Sequence, residues 1–175
     1  MSMRILVVST SLNSASRSRV IAKVARGHLE ALGAVVDWVD LQEHRLPFCD
    51  GRDSNKQPVV LELRKKIEAA DGILMAAPVY NYDLNAASKN LIELTGAAWT
   101  GKVVALAVSA GGQRSGMSPL GTMNSLMLDF RCIVIPRFVY ASRADYTEKG
   151  QLKESALERV HEITSELVRV ATALA

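Results

Sequence analysis

The sequence predicts an α/β protein: five parallel strands in the order 2-1-3-4-5, doubly wound, with helices on both faces. Three observations predict it. Strand-like and helix-like segments alternate from one end of the chain to the other. Most of the strand segments are apolar throughout, as strands buried on both faces must be. The helical segments each carry one apolar stripe at 3.6-residue spacing. A chain of 175 residues, 49% apolar and 22% charged, can bury a sizeable core, and we read residues 1–175 as a single domain.

Residues 4–8 are a short β-branched run and make the first strand. Val20, Ile21, Val24, Ala25, Leu29 and Leu32 recur at helical spacing, and Gly33 is placed to end that helix. Residues 34–41 read as the second strand. A long surface loop follows over residues 42–58, carrying Leu46-Pro47-Phe48, an apolar patch that either tucks against the core or meets a partner subunit. A helix over 59–70 turns Val60, Leu63 and Ile67 inward, and the third strand, 72–77, is expected to stop at Pro78. A short helix over 85–94 ends at Gly96, and 102–108 form the fourth strand. After a glycine-rich loop over 109–118, a helix over 119–130 is expected to point Leu120, Met123, Met127 and Phe130 at the core. The fifth strand, 132–135, breaks at Pro136 and resumes at 138–140. The last helix begins near Gln151 and lines Leu152, Ala156, Val160, Ile163, Leu167, Val170 and Leu174 along one face.

The net charge of +3 is scattered through every segment, which suits an anionic small molecule and gives no argument for nucleic acid. Cys49 and Cys132 sit in unlike contexts, and His28, His44 and His161 have no ligand-like spacing, so no metal site is expected. No apolar run spans a membrane and no signal core follows the start, so the expected location is the cytoplasm.

In a sheet of this order, ligands bind beyond the carboxyl ends of the strands, where the order reverses between strands one and three. The loops after strands one, three and four converge there. The first contains five serines and a threonine within residues 9–18, at the point where a helix begins. Hydroxyl donors beside unpaired backbone N–H groups and the positive end of a helix dipole make a phosphate seat. A cap would need only Ser16 or Ser18. The loop has neither the Gly-x-x-x-x-Gly-Lys pattern of triphosphate binders nor the Gly-x-Gly-x-x-Gly of dinucleotide binders. After the third strand, Pro78, Val79, Tyr80 and Asn81 offer apolar and aromatic surface to a flat ring and polar groups to its edge. After the fourth, Ser109, Ala110, Gly111 and Gly112 let backbone N–H groups approach closely. A flat heterocycle with a phosphate tail fits all three loops, and FMN is the candidate. With Ser9, Ser11, Asn13, Ser16, Arg17 and Ser18, these residues form the candidate cofactor site.

The chain resembles the NAD(P)H-dependent FMN reductase family of flavodoxin-like proteins over nearly its whole length. The Gly-Ser-Leu-Arg-x-x-Ser pattern of that family corresponds to residues 10–16, and its Pro-x-Tyr-Asn…Lys-Asn stretch to Pro78, Tyr80, Asn81, Lys89 and Asn90. Its Gly-Gly loop after the fourth strand corresponds to Gly111 and Gly112. The resemblance implies that Ser11, Asn13, Ser16 and Ser18 hold the phosphate of FMN. It places Pro78, Val79, Tyr80 and Asn81 facing the isoalloxazine, with Ser109, Gly111 and Gly112 along its edge.

The chain departs from the pattern at Thr10, in place of glycine, and at Asn13, in place of arginine. The second change removes a charge from the phosphate, for which Arg17 or Arg19 could compensate. Asn85-Ala86 replaces Pro-Gly and Glu93-Leu94 replaces Asp-Trp. The implied activity is hydride transfer from NADPH or NADH to flavin N5, after which the reduced flavin leaves as free reduced FMN or passes electrons to a second acceptor such as a quinone, an azo dye or a metal oxyanion. The chemistry is flavin-borne, so no catalytic side chain is required. Arg114 is either an attractor of nucleotide phosphates or a solvated loop arginine. The resemblance also implies a homodimer or homotetramer. A flavodoxin-like electron carrier, or a flavin-binding module without turnover, is the competing reading.

Overall fold

The computed structural model describes residues 3–175. Its elements in chain order are β1 (Arg4–Ser9), α1 (Arg17–Ala31), β2 (Val35–Asp40), α2 (Pro58–Ala69), β3 (Gly72–Tyr80), β4 (Asp83–Leu84) and α3 (Ala86–Thr95). They continue with β5 (Val103–Ser109), α4 (Leu120–Phe130), β6 (Ile133–Val134), β7 (Val139–Ala141) and α5 (Glu154–Leu174). The sheet runs β2-β1-β3-β5-β6, with every neighbouring pair parallel. This is the predicted order, with the fifth strand split in two. β6 pairs with the start of β5 at Val103 and Val104, and β7 pairs with its end at Ala107, Val108 and Ser109. The proline break at Pro136 falls between them.

Alternation along the strands divides the core into two layers. Leu6 and Val8 of β1 face Leu63 and Ile67 of α2, Leu91 of α3, Leu126 of α4 and the fully buried Trp99. Ile5 and Val7 face Ile21, Ala25 and Leu29 of α1 and Val160, Ile163 and Leu167 of α5. Gly72 opens β3 in a tight spot between β1 and α5: a Cβ there would lie 2.9 Å from Ile5 Cδ1 and 3.1 Å from Leu167 Cδ1. Among the described residues, no helix is long and apolar enough to cross a membrane.

The structure corrects several expectations. β3 does not stop at Pro78 but continues to Tyr80. The carbonyl of Ala76 accepts from Thr10 N, so Pro78, two residues on, faces the same flank, where β1 has already ended. On that flank its carbonyl accepts from Asn85 N, so the missing N–H falls where the short β3–β4 ladder ends and leaves the β3–β5 pairing on the other flank intact. In α4 the buried residues are Met123 and Leu126, whereas Leu120 and Met127 are exposed and Leu128 is 82% exposed. Met123 and the partly buried Phe130 of the predicted stripe thus face the core, and Leu126 joins them in place of Leu120 and Met127. Leu152 precedes α5, bridging to Tyr146, and Leu32 and Leu174 are exposed at helix ends. The Leu46-Pro47-Phe48 patch divides: Leu46 packs on the α2–α3 layer, and Phe48 is 85% exposed.

Candidate functional site

The carboxyl ends of β1, β3 and β5 open into a cleft of about 230 Å³. Ser11, Asn13, Ser16, Arg17 and Ser18 line it from the loop after β1. Pro78, Val79 and Tyr80 line it from the end of β3, and Ser109, Ala110 and Gly111 from the loop after β5. The predicted set is thus brought together, apart from Ser9, Asn81 and Gly112. Ser9 is fully buried at the end of β1, on the α1 side, and its hydroxyl has no hydrogen-bond partner. Gly112 is exposed, and its carbonyl accepts from the Tyr140 hydroxyl.

Asn81 sits at a hairpin tip. Tyr80 pairs with Asp83 and Val79 with Leu84 across a two-residue loop, and both loop residues have positive φ, 51° at Asn81 and 67° at Tyr82. That is a type I′ turn. Asparagine tolerates the left-handed region, whereas a residue such as tyrosine is held there at a cost of about 1–2 kcal/mol.

The first loop is held by a residue whose role the sequence did not reveal. Arg19 is nearly buried, and all five of its N–H donors are engaged. Two go to the Asp40 carboxylate at the end of β2, in a bidentate pair. The other three go to the backbone carbonyls of Asn13 (2.6 Å), Ser14 (3.1 Å) and Ser11 (3.0 Å). Arg19 therefore shapes the loop from beneath and has no donor left for a phosphate. Ser16 caps α1 by accepting from Arg19 N, and its hydroxyl lies 2.8 Å from that of Ser18. The capping and anion-seat readings of these serines are thus compatible.

Of the two arginines expected to compensate for Asn13, only Arg17 lines the cleft. Its guanidinium lies 5.6 Å from the centroid of the Tyr146 ring. The Tyr146 hydroxyl is 3.2 Å from both the Arg17 carbonyl and Ser109 Oγ, joining the first loop to the third. Burial pushes its phenol up to about 12, so it stays protonated as a donor. Nothing in the local sequence around Tyr146 announces this, because its partners lie far away along the chain. The residues lining the cleft include no carboxylate and no imidazole. A Cβ added to Gly111 would meet nothing within 4 Å, so the chain's own packing does not demand glycine there. The open side is the cleft.

The sequence profile of the NADPH-dependent FMN reductases matches residues 3–146. The chain belongs to this family. As an FMN reductase family member it is an NAD(P)H-dependent flavin oxidoreductase, with FMN as cofactor and NADPH or NADH as donor. It is similar to an NADPH azoreductase from Bacillus sp. (strain OY1-2), 28% identical over 167 residues, which cover 94% of this chain and 90% of that one. Its fold matches that of FerB, a flavoenzyme NAD(P)H:(acceptor) oxidoreductase from Paracoccus denitrificans, with a TM-score of 0.79 at 20% identity and 98% coverage of both chains. It also matches a flavodoxin from the domain Archaea, with a TM-score of 0.70 at 14% identity over 97% of this chain and 99% of the other. The fold is flavodoxin-like.

The cleft's donor set suits FMN. Hydroxyls, the N-terminus of α1 and Arg17 match a phosphate monoester, Val79 and Tyr80 match a flat ring, and the Gly111 backbone can approach its edge.

Proposed function

We propose that the chain binds FMN in this cleft and uses it to carry electrons from a nicotinamide to a small planar acceptor. FMN held there would supply the redox chemistry, hydride acceptance from a nicotinamide and electron release to an acceptor. One observation carries the reading: a hydroxyl-rich loop at a helix N-terminus, an aromatic strand end and an open glycine edge meet in a single cleft.

Ser11, Ser16 and Ser18, with the N–H groups of α1, hold the phosphate, and Asn13 and Arg17 stand beside it. Ser9 supports the seat from below. Pro78, Val79 and Tyr80 would hold the ring, with Asn81 beyond them at the hairpin tip. Ser109, Ala110 and Gly111 would line its edge, with Gly112 next in the same loop, and backbone N–H donors there would favour negative charge on the ring. No side chain has to move a proton, in keeping with a lining that has no carboxylate or imidazole. The azoreductase relative favours an azo acceptor.

The chain also acts as a homo-oligomer in this reading. Met127 and Leu128 of α4 and Phe48 are apolar surface that a second copy would cover. Light scattering of the purified protein tests that point.

The reaction is tested by stopped-flow absorbance. Protein loaded with FMN is mixed anaerobically with NADH or NADPH, and the flavin band should bleach rapidly with at least one donor. A bound flavin that stays oxidised would overturn the reductase reading in favour of an electron carrier.

A further inference from the structure

Tyr82 stands in a backbone conformation that opposes it. It is the second central residue of the type I′ turn between β3 and β4, with φ at 67°. Glycine occupies that position without strain, and asparagine tolerates it. A tyrosine there must be kept for its side chain. The core does not explain it, since Tyr82 is 54% exposed. Nor is the turn so loose that any residue would serve. The Asp83 carboxylate accepts from Leu84 N at 2.7 Å, and Asn85 N donates to the Pro78 carbonyl at 3.0 Å, so the hairpin is pinned on its return side. Two residues before Tyr82, Tyr80 lines the cleft and is itself half-exposed. The hairpin therefore carries two half-exposed aromatic residues: Tyr80, which lines the cleft, and two positions on, at the turn that follows it, the strained Tyr82. Strained residues that packing does not demand concentrate at ligand-binding positions.

We infer that Tyr82 is a specificity-determining residue that receives the flat aromatic ring of the second substrate as it approaches the flavin site. The inference rests on the proposed reductase reading and goes beyond it by naming a substrate contact outside the FMN cleft. The ligand chemistry is a planar π-system with an apolar face, held by stacking or edge-to-face contact with the phenol ring. Two substrates of the reaction have it: the nicotinamide of the donor and a planar acceptor such as a quinone or an azo dye.

The test compares the wild type with Tyr82→Gly and Tyr82→Phe. Thermal unfolding of the FMN-free proteins comes first. Relief of the left-handed strain should raise the Tm of Tyr82→Gly by about 2–4 °C. FMN titration should give dissociation constants within about twofold of the wild type for both variants. Anaerobic stopped-flow then measures the reductive half-reaction against NADPH concentration, and the oxidative half-reaction against a naphthoquinone and an azo dye.

Tyr82→Gly should raise the half-saturating concentration about fivefold or more in at least one half-reaction, whereas Tyr82→Phe should keep the wild-type value. A change confined to the reductive half identifies the nicotinamide as the ring. A change confined to the oxidative half identifies the acceptor, and a change in both means that the two share one face. The combination of a more stable protein and weaker substrate binding is what a purely structural role would not produce. The inference is overturned if neither half-reaction changes, if Tyr82→Phe loses as much as Tyr82→Gly, or if the Tm falls. A lower oligomer mass for Tyr82→Gly with unchanged half-reactions would assign the ring to a subunit contact and overturn it too. Wild-type flavin that NADPH cannot reduce overturns the reductase reading itself, an outcome visible before any variant is compared.

Discussion

The hydroxyl of Thr10 lies 2.9 Å from the side-chain oxygen of Asn85, joining the phosphate-side loop to the start of α3 across 75 residues of sequence. Around this contact the Asn85 amide donates to the Thr10 carbonyl at 2.8 Å, and Ser88 Oγ lies 2.6 Å from Asn85 Oδ1 and 2.8 Å from Thr10 Oγ1. All three residues are buried. Thr10 and Asn85 are two of the positions at which the chain departs from its family's pattern, and in the folded molecule they are partners. Asn85 N also donates to the Pro78 carbonyl, a bond that proline at position 85 could not make. The Thr and Asn that stand in place of Gly and Pro thus add a buried hydrogen-bond network that ties two site loops together.

Thr10→Ala should destabilise the protein by about 1–3 kcal/mol, because it leaves buried polar groups of Asn85 and Ser88 short of a partner. It should also weaken FMN binding, since the loops lose their tie, whereas Thr10→Ser should retain both properties. Urea unfolding and FMN titration of the two variants check this. Equal behaviour of the two variants would refute a role for the hydroxyl.

Arg19→Lys should be costly despite keeping the charge. Lysine cannot supply a planar fork with five donors, so loop carbonyls and Asp40 would be left unpaired in a buried setting. Removing one partner of such a pair costs about 3–5 kcal/mol, and Arg19→Ala should lose that much in chemical denaturation. A loss below about 1 kcal/mol, the scale of exposed pairs, would show that the pair is dispensable.

Charge at the phosphate end should tune FMN affinity directly. Arg17 is the cationic side chain among the cleft-lining residues, so Arg17→Ala should weaken FMN binding by about tenfold, an effect that shrinks as salt is raised. Asn13→Arg should act in the opposite sense and tighten it. Fluorescence titration at low and high ionic strength measures both, and a salt-independent loss in Arg17→Ala would point to packing on Tyr146 instead.

Stability should depend on pH through a histidine pair. His28 of α1 stacks on His161 of α5 with ring centroids 4.0 Å apart, and its Nδ1 lies 2.7 Å from the buried Thr164 hydroxyl. Burial first, and then repulsion from His161, lowers the pKa of His28 below its ordinary 6.5. The unfolded chain therefore binds more protons between the lowered value and 6.5, so stability falls as pH drops through 6.5 and levels off below the folded value. Urea midpoints between about pH 5 and 8 should show this decline. In His161→Gln the decline should shrink but persist, because burial is the larger cause.

The sheet order was legible before folding because most strands announce themselves by an uninterrupted apolar run and each helix by a stripe. Such local patterns survive without knowledge of partners. The three site loops were legible for a related reason: in a doubly wound sheet, topology alone decides which loops meet. Expectations failed where the deciding factor was a neighbour. Pro78 reads as a strand breaker, and it is tolerated because β1 has ended on its flank and the β3–β4 ladder ends there too. Leu120 and Met127 of α4 fit a helical stripe, yet the sheet accepts Met123 and Leu126 and leaves the others outside.

Arg19 shows the same division at the site. Its charge is plain in the sequence and suggests a phosphate ligand, but Asp40 and three backbone carbonyls claim every donor. Tyr146 and the Thr10–Asn85 pair become part of the site only through contacts between segments distant along the chain. Composition, periodicity and loop chemistry were enough for the fold, the cofactor class and the cleft's main residues, because these follow from short-range patterns and a topology that allows few arrangements. Which side chains face the ligand and which support the loops from below was decided by folding alone, since a donor's role depends on the acceptors that the rest of the chain brings within hydrogen-bond distance.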